Sequence, residues 1–142
     1  MVGSPALAAI PPELRAPRGG ITLLLAGDTP ANLEFKLSLL EPAGYRVELA
    51  RDGVDALAQV REKPVDLVIS DVSMQGGSGF DLLAEIRTDP SLCDLPFMLL
   101  TSTAGDSQSQ AQGMALGANR YLLRPIGPVD LLKEIRACLA GP

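Results

Sequence analysis

The stretch that most limits what this chain can become is residues 66–83, DLVISDVSMQGGSGFDLL. Leu67-Val68-Ile69 is a short apolar run bounded by turn residues, which reads as a strand buried in a parallel sheet. It ends in Ser70-Asp71, and a glycine-rich turn then leads into an amphipathic helix. In an open parallel sheet, ligands bind at the carboxyl edge of the strands. An ionised carboxylate beside a packed strand costs free energy unless a cation or hydrogen-bond donors meet it. Asp71 is the residue to explain.

From Ile21 onward the chain alternates strand and helix. Residues 21–26, 45–50, 66–70, 96–101 and 120–123 read as strands. Helices are expected from Pro30 to about Ala43, from Val54 to Lys63, from Phe80 to Thr88, over residues 106–117, and from Pro128 to Leu139. Thr29 or Asp28 can cap the first helix, which Pro30 opens and Gly44 stops. Five strand-helix units with short connections imply an α/β, doubly wound, five-stranded parallel sheet with five helices and right-handed crossovers. A chain of 142 residues is one domain, long enough to bury a real core. Residues 1–20 hold four prolines and end in a glycine pair, so they read as an N-terminal extension or linker, with residues 21–140 as the folded domain. The other reading of that segment is a short helix docked on the domain.

Seventeen acids against twelve bases give a net charge of −5, which argues against a nucleic-acid or acidic-membrane surface. No apolar run approaches the length of a membrane span. Cys93 and Cys138 form no CxxC pair and suggest no disulfide framework, which fits a reducing cytoplasm. Cys138 shares the apolar face of the last helix with Leu131, Ile135 and Leu139 and reads as a small core residue. The chain has no histidine. That removes Ser-His-Asp and Cys-His catalysis, His-ligated zinc, and any role as a phosphohistidine donor.

The strand ends carry Asp28, Asp71, Thr101 and Arg124, the last followed by Pro125. Neighbouring strand ends converge on one sheet edge, so two acids, a hydroxyl and a cation can share a pocket there. Two carboxylates held close repel, and the usual remedies are a proton or a divalent metal. With oxygen ligands and no His or Cys, that metal is Mg2+. A metal, a nucleophilic acid, a hydroxyl and a basic side chain are the parts needed to accept a phosphoryl group. The metal and Arg124 would neutralise its equatorial oxygens while Asp71 attacks in line.

Four stretches, AGDTPANLE (26–34), DLVISDVSMQGGSGFDLL (66–83), MLLTS (98–102) and GANRYLLRPI (117–126), make residues 21–139 resemble the receiver domain of two-component response regulators. The resemblance implies a flavodoxin-like fold with strand order 2-1-3-4-5. It implies that Asp71 is the phosphoacceptor and that Asp28, Asp71 and the backbone carbonyl of Ser73 ligate Mg2+. Thr101 matches the hydroxyl that moves onto the phosphoryl group, and Tyr121 the aromatic switch residue. Arg124-Pro125 falls where the family has Lys-Pro, usually with a cis peptide. A histidine kinase or phosphotransfer protein would then donate the phosphoryl group. A downstream protein would read the face formed by helix four, strand five and helix five. A cytoplasmic signalling domain of this kind is not an enzyme beyond promoting its own phosphorylation and dephosphorylation, and its partners include neither nucleic acid nor membrane.

Three departures stand out. Gly27 replaces the first of two adjacent acids, which in the family holds Mg2+ mainly through water, so metal affinity should fall. Arg124 keeps the charge of Lys but not its compact shape. Gln75 replaces the usual Pro after the acceptor. The first two leave room for a pseudo-receiver that binds partners without phosphotransfer. Two surfaces also invite partners. The first helix carries the stripes Phe35/Leu39/Ala43 and Leu33/Leu37/Leu40. The resemblance favours burying Phe35 and Leu39, which would free Leu33 and Leu37 to dock a kinase or phosphotransfer helix; a single broad buried face is the other possibility. The fourth helix bears no charge after Asp106.

Overall fold

Five parallel strands form the sheet: runs of Leu, Val and Ile too apolar to show a face to water make the three central ones, and more polar, partly exposed segments make the two edges. They are β1 (Thr22–Ala26), β2 (Arg46–Ala50), β3 (Leu67–Asp71), β4 (Phe97–Thr101) and β5 (Arg120–Leu123). In the computed structural model, which describes residues 10–27, 29–74, 77–101 and 107–140, they lie in the order β2-β1-β3-β4-β5. Leu25 sits between Leu49 and Ile69, and Ser70 between Ala26 and Leu99, so the ends of β1 and β3 are level. Alternation along each strand divides the core in two. Leu23, Leu25, Leu67, Ile69, Met98 and Leu100 face one side, and Leu24, Val68, Phe97 and Leu99 the other.

Helix α1 (Pro30–Phe35) and α5 (Pro128–Leu139) cover the first side; α2 (Gly53–Glu62) and α3 (Gly79–Thr88) cover the second, where α4 (Ser107–Ala115) also packs. Local chemistry fixes their starts. The Thr29 hydroxyl accepts the Asn32 N–H, the Asp52 carboxylate accepts the Asp55 N–H, and Ser78 and Asp81 form a reciprocal capping box. The strand and helix bounds fall within a residue or two of the sequence expectation, except in the first helix. There α1 gives way to a π-helical turn over Lys36–Leu40, whose extra residue rotates the end of the helix. Leu39 and Leu40 are consequently both buried, although they belong to different stripes, while Leu33 and Leu37 are 47% and 56% exposed. A two-residue antiparallel ladder, Ser73–Met74 with Gly77–Ser78, shapes the turn after β3 and had no signature in the sequence.

The described part of the N-terminal extension departs from the expected tether. Pro12–Leu14 makes a 3-10 turn that places Ile10 and Leu14 in the core on the α5 side. The Ala16 N–H donates to the Ala43 carbonyl at 2.8 Å, and the Arg136 guanidinium donates to the Arg15 carbonyl. Proline density suggested a linker, but two apolar side chains four residues apart outweigh it once they have a groove to fill. Among the described residues no helix is long and apolar enough to cross a membrane. Both cysteines are free thiols, and Cys138 is buried beside Leu131 and Ile135.

Two polar groups, one half-buried and one buried, bear on stability. Arg87 ties the end of α3 to two loops. Its Nη1 donates to the carbonyls of Cys93 (3.2 Å) and Leu95 (2.6 Å), its Nε and Nη2 to that of Gly117 (3.0 and 2.8 Å), and Nη2 also to Asn119 Oδ1 (3.1 Å). Tyr45, by contrast, is buried with a hydroxyl that has no hydrogen-bond partner among the described residues. Burial raises its pKa to about 12, against a smaller opposing pull from Arg136. Between pH 10 and 12 the unfolded chain releases that proton and the folded one keeps it, so this tyrosine's share of stability is complete below pH 10 and is lost as pH rises toward 12. Tyr45→Phe should therefore raise stability at pH 7 by about 1 kcal/mol, since it removes an unpaired buried group. Its urea midpoint should also fall less steeply than the wild type's above pH 10, and a midpoint lowered at pH 7 would show that the hydroxyl has a partner.

Candidate functional site

The carboxyl ends of β3 and β4 and the turn after β5 open on a pocket of about 180 Å3 lined by Thr29, Ala31, Asp71, Val72, Ser73, Leu100, Thr101 and Arg124. Asp71 is the last residue of β3, and its side chain is 9% exposed. The glycine-rich turn lets the chain stay close to it. A Cβ on Gly79 would strike the Asp71 carbonyl and lie 2.9 Å from Leu99 Cδ2, so α3 can begin directly against β3 only with glycine there.

Arg124 reaches in from the other side. Its N–H donates to the Thr101 carbonyl at 2.7 Å, which anchors the turn after β5, and the Arg124-Pro125 peptide is cis. Arg124 Nη2 lies 2.6 Å from Asp71 Oδ1 in an ion pair whose side chains are 16% and 9% exposed. Such a pair holds its geometry better than a surface pair because little water competes for it. The guanidinium also rests over the Phe35 ring, 5.6 Å from its centroid, so an apolar residue of α1 steers the cation. Beside this stack, Phe35, Leu39, Pro125 and Ile126 line an open groove of about 640 Å3 between α1 and α5.

Asn32 completes the arrangement and was missed by the sequence reading. Its Oδ1 accepts from Arg124 Nη2 at 2.9 Å, and its Nδ2 donates to the Gly27 carbonyl at 3.0 Å and to Asp71 Oδ2 at 3.3 Å. A signal existed. Asn32 lies three residues before Phe35 and seven before Leu39, a polar residue on the stripe expected to be buried, and it is 2% exposed.

The expected site residues are therefore brought together in part. Asp71, Ser73, Thr101 and Arg124 share the pocket, with Thr101 buried at its wall. Tyr121 is half-buried in β5, paired in register with Leu99 and packed with the α3 side of the core rather than in the pocket lining. Asp28, Gln75 and the first residue expected of the fourth helix lie outside the described residues. The donors present suit a hard divalent ion in kind: a carboxylate from Asp71 and the Ser73 backbone in one pocket, without thiol or imidazole. Among the described residues no three carboxylates or thiols gather, and one Asp71 oxygen already bears the guanidinium.

Residues 23–136 match the family model of the response regulator receiver domain. Protein PilH of Pseudomonas aeruginosa is 31% identical over 119 residues, which cover 84% of this chain and 98% of that protein. The phosphate regulon transcriptional regulatory protein PhoB of the same organism is 30% identical over 87% of this chain, which spans only 54% of its length. Among solved structures, the chemotaxis response regulator CheY4 of Vibrio cholerae superposes with a TM-score of 0.77 at 32% identity, covering 84% of this chain and 98% of that one. The signal receiver domain of a signal transduction histidine kinase from Syntrophus aciditrophicus gives 0.77 at 29% identity, covering 86% and 92%. This chain belongs to the response regulator receiver domain family.

Proposed function

We propose that residues 21–140 form a phosphoacceptor receiver of a two-component relay, preceded by the docked extension, and that Asp71 takes the phosphoryl group. The observation that carries this reading is the ion pair of Asp71 with Arg124 beside Thr101 in one pocket. An Asp71 carboxylate oxygen attacks the phosphorus of a phosphohistidine on a histidine kinase or phosphotransfer protein. A P–O bond forms, the P–N bond breaks, and the imidazole nitrogen leaves with the bonding pair and takes a proton from solvent. Arg124 faces the charge that develops on the phosphoryl oxygens. Asp71, Asp28 and the Ser73 carbonyl would hold Mg2+, which supplies charge neutralisation at those same oxygens when bound.

The added charge draws the Thr101 hydroxyl toward the phosphoryl group, and Tyr121 follows into the space released, shifting an existing equilibrium at the face of α4, β5 and α5. A downstream protein reads that face, where α4 carries no charge and Met114 and Leu123 are exposed. Leu33, exposed on α1, and Leu37, exposed on the π-helical turn that follows it, offer apolar contacts to the donor's helix. The setting is cytoplasmic, the chain turns over no substrate of its own, and neither nucleic acid nor membrane takes part.

Beryllofluoride, which mimics a phosphoryl group on a carboxylate, tests the switch. With Mg2+ it should shift the amide resonances of Thr101 and Tyr121, and without Mg2+ it should not. Unmoved resonances at saturating Mg2+ would leave the pseudo-receiver, a docking module independent of phosphorylation, as the function.

A further inference from the structure

Replacing an acid by glycine at position 27 does more than delete a ligand. Gly27 has φ +132°, which side-chain-bearing residues rarely adopt, and a Cβ built on it would collide with Asp71 Oδ2 and stand 2.8 Å from Asp71 Cγ and 3.0 Å from Asn32 Nδ2. The acceptor carboxylate thus occupies the room that the missing side chain leaves. In that room it meets a second partner, since Asn32 bonds to Asp71, to Arg124 and to the Gly27 carbonyl. Both carboxylate oxygens are taken: Oδ1 by the guanidinium and Oδ2 by the amide.

We propose that Asn32 is a positioning residue that clamps Asp71 onto Arg124 in the resting protein, in the space vacated at Gly27, and that Mg2+ binds only by opening this clamp. The inference rests on the phosphoacceptor reading and deepens it. A metal at Asp71 has to win a carboxylate oxygen from a partner already in place, so the resting clamp subtracts from metal affinity. Asn32 is assigned to the resting state because its bonds to Asp71 and to Arg124 hold the carboxylate against the guanidinium. Any loss of metal affinity is then due to the clamp as well as to the missing acid.

The test is the Mg2+ dissociation constant, followed by amide shifts of Val72 and Ser73 at fixed ionic strength, in the wild type, Asn32→Ala and Asn32→Ser. Serine is too short to span Asp71 and Arg124 but keeps a polar group at a buried position, so it carries the test if the alanine variant does not fold. Losing hydrogen bonds to charged partners should tighten Mg2+ binding about tenfold in either variant. The beryllofluoride adduct should then form at correspondingly lower Mg2+. Unchanged or weaker Mg2+ binding in a folded Asn32 variant overturns the clamp. Absence of any adduct in the wild type at saturating Mg2+ would instead overturn the phosphoacceptor reading, and the metal titration would still decide the clamp by itself.

Discussion

Asp71→Asn is expected to gain no phosphoryl group from acetyl phosphate at any Mg2+ concentration, whereas the wild type gains a Mg2+-dependent adduct visible by intact mass. The amide oxygen of asparagine is a poor nucleophile and carries no charge to hold a metal. The hydroxyls nearby, Thr101 and Ser73, are poor substitutes, because a neutral hydroxyl needs a base and, once Asp71 is an amide, no carboxylate among the described residues lines the pocket. Asparagine keeps the shape of the side chain, so the variant should fold with a normal circular dichroism spectrum. An adduct of undiminished yield on a folded Asp71→Asn protein would place the acceptor on another residue.

The second large effect concerns the fold alone. Arg87→Ala should lower the free energy of unfolding by about 4 kcal/mol, because the carbonyls of Cys93, Leu95 and Gly117 and the amide of Asn119 all lose a charged donor. Asn119 Oδ1 also accepts the Phe97 N–H at 2.9 Å, so the damage extends to the start of β4. Burial lowers the Arg87 pKa, with Asp94 opposing, and the desolvation this reflects is what the four acceptors offset. Arg87→Lys should recover less than half of the loss, since an ammonium cannot span acceptors on both loops. Urea denaturation followed by far-ultraviolet circular dichroism reads both values, and a loss under 1 kcal/mol for the alanine variant would mean that water replaces the guanidinium.

The strand order came only from the resemblance to receiver domains, whereas the sheet and the placement of Asp71 were legible because each rests on local chemistry: apolar runs, caps and breakers. The same holds for Cys138, whose helical spacing with Leu131 and Ile135 was enough to bury it. What the sequence did not reveal depends on contacts between distant residues. Asn32 and Arg124 are 92 positions apart, and their hydrogen bond has no periodicity to betray it. Gly27 read as an absent ligand because the family resemblance registers what is missing, whereas the collision with Asp71 appears only once β1 and β3 lie side by side. The π-helical turn was hidden for a related reason. Two competing stripes looked like a choice, and a single inserted residue let Leu39 and Leu40 both reach the interior.

The 3-10 turn before the sheet has a practical consequence. Ile10 and Leu14 belong to the same buried cluster as Leu40, Tyr45 and Ile135, on the α5 side of the sheet. A protein trimmed to begin at β1 would carry a sticky flank, prone to self-association at high concentration. Whatever is joined upstream inherits a mount on α5, where the Arg136 guanidinium holds the Arg15 carbonyl.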